Sequence, residues 1–404
     1  MNEVGSVPRD DGFEAEQRLL GGLFSPEARR DPFPLYRSVS LPGCRYAVAE
    51  RMLRDSGFGP PAMSPSDQPL WQMFARWLIN LDGERHARLR RRFAGLFTPR
   101  RVKAFRNVVA RRAEALVERV LDRGGIDLVT EFARPLPFSV IARILGVPED
   151  RHAWLAERMF MLGQGFARQQ EPEFVERAGI AVVEMLDYYS DLLDERAAKP
   201  RGDLISALAA DMPRDEGGRL DLEANCVFFI EAGHVTTTSL ISGGMLLLLQ
   251  HPDQLARIRG DPRAVTDAVE EMLRLVTPVA AVACRAGRDV EVDGYRFQAG
   301  ADRRVFLAAA NRDPEAFPNP DSFDIDRFPH RHLAFSAGTH FCLGAPLARL
   351  HGEIAITTLL RRLPNLRLSG EPVWRGSLPL RELEHLPVAW DALPPQHHRG
   401  RTLR

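Results

Sequence analysis

The chain has 404 residues, 45% of them apolar and 27% charged, a composition that can bury a large core and carries no signature of disorder. Its 54 basic and 54 acidic side chains cancel, which removes bulk electrostatic attraction to nucleic acid or an anionic membrane as a basis for function. Cys44, Cys226, Cys284 and Cys342 lie far apart with no CxxC pair; they read as reduced thiols in a cytoplasmic protein, not as a zinc site or disulfide framework.

In chain order, the opening MNEVGSVPRDDGFEAEQ holds no apolar run for a signal peptide or anchor. Residues 1–30 read as the lead-in to one domain spanning 1–404. Apolar positions three and four apart predict helices over 84–97, 103–123, 174–197, 222–249 and 254–275. The longest candidate, 222–250, would run roughly 40 Å, with Asp221 capping its start and Pro252 barring its continuation. Glu231 and His234 interrupt its most apolar part, which predicts a buried helix and no lipid-facing span. Strand-like pieces come late, at 289–297 around a Val292-Asp293-Gly294 turn, at 366–368 and at 386–390. Between 311 and 334, Pro314, Pro318, Pro320 and Pro329 predict a long ordered meander. The polar tail 394–404 is expected to fray. The fold class is therefore mainly α with a small β component.

The segment Phe335-Ser-Ala-Gly338-Thr-His340-Phe-Cys342-Leu-Gly344 sets one cysteine between glycines, after the meander and before a helix starting near Ala345. A helix N-terminus and loop amides favour thiolate over thiol, and Gly338 and Gly344 would let backbone approach a flat ligand. An axial haem ligand needs these properties; a lone cysteine of no special context is a buried structural thiol.

This loop, F-x-x-G-x-H-x-C-x-G, resembles the haem-binding loop of the cytochrome P450 superfamily, with Ser336 where bacterial members most often carry glycine. The resemblance runs over about 31–388. It implies a single-domain fold with haem buried between helices, and haem b held by the Cys342 thiolate. Glu271-Met-Leu-Arg274 matches the family's E-x-x-R helix, whose network takes an arginine of the meander, here Arg327. His86-Ala-Arg-Leu-Arg90 matches an H-x-x-x-R segment that pairs with haem propionates, both side chains falling on one helix face; Arg285 and His340 match two further propionate contacts. Ala232-Gly233-His234-Val235-Thr236-Thr237 resembles the oxygen-binding groove of the central helix. There Ala232 and Gly233 border the haem and Thr236 aligns with the proton-delivering threonine. The family usually has an acid where this chain has Val235. Glu231, one turn earlier on the same face, is a candidate either to deliver protons or to pair with a cationic substrate group.

The implied function is a haem-thiolate monooxygenase that hydroxylates or epoxidises a bulky substrate of secondary metabolism. Electrons would come from a separate ferredoxin and ferredoxin reductase docked on Arg88, Arg91, Arg92, Arg100 and Arg101. Pocket positions by analogy are 72–80, 160–174, 279–283 and 378–380, where Ala280, Ala281 and Ala283 would leave space. The missing acid at Val235 leaves two alternatives, a peroxide-driven or radical-coupling haem oxidase. A third is a non-catalytic module of this fold that recruits a carrier protein.

Overall fold

The Asp215 carboxylate accepts the Gly218 N–H at 2.7 Å and starts the longest element, the 35-residue helix Glu216–Gln250. At roughly 50 Å it spans the molecule. These features come from a computed structural model, which describes residues 12–391 apart from 24, 40, 96, 214, 330, 377 and 378. The expected frayed tail lies outside the described residues, as does the start of the lead-in.

The central helix begins six residues before its expected start, because Gly217 and Gly218 are carried into its first turn by the Asp215 cap. Asp221, expected as that cap, lies inside the helix and is buried. It accepts hydrogen bonds from Arg76 at 2.9 Å and from Arg85 at 2.6 and 3.0 Å. One turn on, Asn225 accepts the Leu78 N–H and donates to the Arg76 carbonyl, both at 2.8 Å, which pins residues 76–78 to the helix. The helix is long and apolar enough to cross a membrane. Its surface is instead taken up by protein, since Pro135–Leu145, Val265–Val276, Ala345–Arg362 and the strand Arg381–His385 all pack on it.

Other predicted helices appear as Gly83–Ala94, Pro99–Glu118 and Pro172–Ala198. The helix expected over 254–275 is two, Pro252–Gly260 and Val265–Val276, split where Pro262 removes a backbone donor and starts a 3-10 turn. Strands Val290–Val292 and Tyr295–Phe297 form the expected hairpin, with Asp293 and Gly294 both at positive φ.

Two three-stranded antiparallel sheets complete the β component. Val282–Ala286 lies between Phe58–Gly59 and Asp302–Val305, and Pro387–Ala389 lies between Gly125–Asp127 and Arg367–Leu368. A further hairpin joins Val373–Gly376 to Arg381–His385. The meander from Asn311 to the cysteine loop has no helix or strand among its described residues.

Candidate haem and substrate site

The meander holds its shape because buried side chains satisfy its backbone. Arg274 grips Glu271 through two bonds of 2.7 Å and donates to the carbonyls of Asn311, Pro320 and Ser322 at 2.7–3.0 Å. Arg327 donates to Glu271 at 3.0 Å and to the Pro318 and Asn319 carbonyls at 2.7 and 3.1 Å. With Glu271 and Arg274 only 1% and 2% exposed, this is a buried ionic frame, far from the surface pair that an i,i+3 spacing alone suggests. Neighbouring Glu270, absent from the sequence reading, turns the other way. Arg349 holds it through bonds of 2.6 and 2.9 Å, and His332 reaches it at 3.1 Å. These bonds outweigh the cost of burial and bring its carboxyl down to about 2. Arg349 also lies over the Phe335 ring, 4.6 Å from the centroid, so Glu270 fixes the start of the cysteine loop.

That loop carries Cys342 just before helix Ala345–Arg362. Cys342 keeps accessible surface although protein surrounds its thiol, whereas Cys226 and Cys284 are buried and Cys44 half-buried. Amides of Gly344 and Ala345 donate to its sulfur, and Arg90 and Arg349 add positive potential. All of these lower its pKa, but burial dominates and leaves the thiol raised. The loop amides thus act in the expected direction, and burial opposes them. Gly338 has a different reason than the one expected. At φ +65° a Cβ there would stand 2.2 Å from the Leu53 carbonyl oxygen, so this glycine seats the loop against helix Tyr46–Arg54.

His86 and His340 meet with ring centroids 4.4 Å apart, and each has a buried Nε2 without a partner. Burial and mutual repulsion hold His86 down to about 4, with Arg90 adding to the effect, and burial lowers His340 too. Arg90 donates to the Phe341 carbonyl at 2.6 Å. Three of the four expected propionate donors thus gather beside Cys342. The fourth, Arg285, is engaged elsewhere: it holds Asp302, directly opposite on the next strand, through two bonds of 2.7 Å.

On the central helix, residues 231–236 all keep accessible surface while the turns on either side are buried. Six consecutive residues cover every face of a helix, so the interior opens around this stretch. Within it, Thr236 Oγ1 donates to the Ala232 carbonyl at 2.6 Å, and Gly233 faces Ile141. Both ring nitrogens of His234 lack partners, and burial lowers it to about 4. Glu231 is surrounded by protein and pushed up to about 8, by burial first and then by the Glu382 carboxyl. Glu382 gave no signal in the sequence, because 151 residues separate it from Glu231.

Of the expected pocket segments, 72–80 and 160–174 meet the central helix through aromatic rings. Phe74 and Trp77 pack on Phe166 at 5.2 and 5.5 Å, and Trp77 packs on Phe228 at 5.0 Å. Phe160 points outward, 61% exposed. Ala280 and Ala281 do not leave space; they are buried in a core cluster with Leu19, Phe33 and Phe306, and of the three alanines only Ala283 is exposed. Leu378 lies outside the described residues, while Leu380 bridges Val279.

No group of three or more metal-ligating side chains occurs among the described residues. One open thiol with orphaned imidazoles nearby fits a metal that brings its own equatorial ligands and acidic groups, as haem does. Residues 176–370 match the cytochrome P450 family model. The chain is 39% identical to 6-deoxyerythronolide B hydroxylase of Saccharopolyspora erythraea, covering 82% of each chain. It is 38% identical to the cytochrome P450 monooxygenase PikC of Streptomyces venezuelae, covering 91% of this chain and 93% of that one. Among solved structures, P450BioI in complex with an acyl carrier protein ligated to hexadec-9Z-enoic acid superposes with TM-score 0.85 and 32% identity, over 90% of this chain and 100% of that one.

Proposed function

This chain belongs to the cytochrome P450 family, and we propose that it is the haem-thiolate monooxygenase of a natural-product pathway, hydroxylating or epoxidising a bulky substrate with electrons from an external ferredoxin and its reductase. The observation that carries the reading is the open Cys342 thiol beside the two unpartnered histidine nitrogens. The relatives named as a 6-deoxyerythronolide B hydroxylase and as a cytochrome P450 monooxygenase support this reading. A small molecule tethered to a carrier protein is a second form the substrate can take, as in the P450BioI complex.

When bound, haem supplies dioxygen activation, with thiolate donation favouring O–O cleavage. Cys342 would hold the iron, and the metal's charge would favour its thiolate against the burial that raises the thiol. His86, Arg90 and His340 would hold the propionates, whereas Arg285 is paired with Asp302. Ala232 would border the ring, while Gly233 lets the helix approach Ile141. Thr236 has committed its hydroxyl hydrogen to the Ala232 carbonyl, so Oγ1 is left as an acceptor that orders water. Val235 places no acid beside it. Arg88, Arg91, Arg100 and Arg101 are exposed and form the cationic face for an acidic electron donor in the cytoplasm, whereas Arg92 is paired with Asp211 at 3.1 Å.

The test is Cys342→Ser. The wild-type protein is expected to bind haem with a thiolate-type spectrum of the reduced carbon monoxide complex, and the variant to lose it. An unchanged spectrum overturns the assignment. Product analysis under labelled dioxygen separates insertion of oxygen from peroxide-driven or coupling chemistry.

A further inference from the structure

Glu231 and Glu382 come from elements distant in sequence, the central helix and the strand Arg381–His385 that packs on it. Burial raises both carboxyls and Glu382 raises Glu231 further, but the nearby cations are shared unequally. Glu382 has Arg375 at 3.9 Å and feels Arg134, which follows the π-helical turn Val129–Ala133. Among the described residues Glu231 has no hydrogen bond or ion pair, and the charge that acts on it is that of Glu382. His234, on the same helix, does not supply the missing charge, because burial and Arg134 keep it neutral. Glu384 and Asp127 act on Arg134 from the far side.

Glu231 is also not packed away. It keeps accessible surface at the start of the open run 231–236. A carboxyl enclosed in protein, beside a like charge, with no donor and with space in front of it is stable only if neutral or if a cation arrives from outside. A substrate ammonium group, alkylated or not, is such a cation, and its charge is what an ionised carboxylate lacks here.

We infer that Glu231, supported by Glu382, is the receptor for a positively charged amine on the substrate, so that this enzyme takes large apolar molecules carrying an ammonium group. The inference rests on the monooxygenase reading, in that the open space beside 231–236 is where substrate meets haem. Docking of the cation ionises Glu231. At pH 7 a group with its pKa near 8 is about nine-tenths protonated, so binding releases nearly one proton, and close to none at pH 9.

The experiment is calorimetry on the haem-loaded protein with decyltrimethylammonium, which neither titrates nor ligates iron, against 1-decanol as the neutral chain, both below micelle formation. The cation is expected to bind at least about tenfold more tightly than the alcohol, with proton release at pH 7 seen as a buffer-dependent heat. Glu231→Gln should abolish both the preference and the proton release while leaving decanol affinity in place. Glu382→Gln should weaken the preference by about threefold. Equal binding of the two probes by wild type overturns the inference. So does a preference retained in Glu231→Gln, even where that variant turns over more slowly, which would assign Glu231 to proton delivery. If Glu231→Gln fails to fold, the wild-type preference and proton count decide alone. A thiolate-type spectrum without cation preference sinks this inference and leaves the family function standing, while loss of that spectrum in wild type sinks the function itself.

Discussion

The two carboxylates that neighbour each other in sequence, Glu270 and Glu271, and the two that neighbour each other across the central helix, Glu231 and Glu382, meet burial in opposite ways. Glu271 has Arg274 and Arg327, and Glu270 has Arg349 and His332, all within hydrogen-bonding distance. Among the described residues Glu231 has none, and the ring nitrogens of His234 on the same helix have none either. The first pair is a finished scaffold that shapes the cysteine loop before any ligand arrives. The second is left without such a partner among the described residues. Matched ions mark structure, and unmatched ones mark the place where chemistry is recognised.

The largest expected effect strikes the scaffold. Arg274→Ala removes the cation that satisfies Glu271 and three meander carbonyls, leaving a buried carboxylate short of charge. Breaking a pair of this kind costs about 3–5 kcal/mol, so the urea midpoint should fall steeply and haem uptake should fail. A variant with an unchanged midpoint would show that the meander is held by something other than this frame.

A smaller loss is expected from Gly338→Ala. The new Cβ meets the Leu53 carbonyl oxygen, and φ +65° is itself strained for alanine, together about 2–3 kcal/mol. Because the strain falls on the cysteine loop, the thiolate-type spectrum of the reduced carbon monoxide complex should broaden or weaken along with the thermal midpoint. A stability loss without any spectral change would mean that the loop gives way on its outer side only.

Much of the scaffold was legible in the sequence because its signals are local or keep a fixed order. Glu271, Arg274 and Arg327 are read from a helix motif and a proline-rich segment, and Cys342 from a loop whose glycines bracket it. The misses have a common cause: they depend on partners that only folding brings together. Arg285 looks free until its cross-strand neighbour Asp302 is known. Glu270 and Arg349 are 79 residues apart, and no periodicity links them. The start of the central helix was misplaced because a Gly-Gly pair resembles coil until the Asp215 cap is seen, and Pro262 was overlooked inside a run whose apolar spacing continues across the break. Along the central helix the sequence marks Glu231 but not Glu382, which lies 151 residues away.

The smallest of these effects concerns Glu270 and carries a sign that pH can read. Its carboxyl is held well below the ordinary range, at about 2, by Arg349 and His332. A depressed carboxylate stabilises the folded chain above its unfolded pKa of about 4.3 and loses that contribution as pH falls toward the folded value. Glu270→Gln should therefore cost about 2 kcal/mol at pH 7, and the urea midpoints of variant and wild type should converge as pH is lowered from 4.5 toward 2. The cost should appear together with freedom of Arg349, whose guanidinium also raises the potential at the Cys342 sulfur. A gap between the two proteins that stays constant down to pH 3 would mean that the loss is one of packing, and that the charge on Glu270 has no part in ordering the loop.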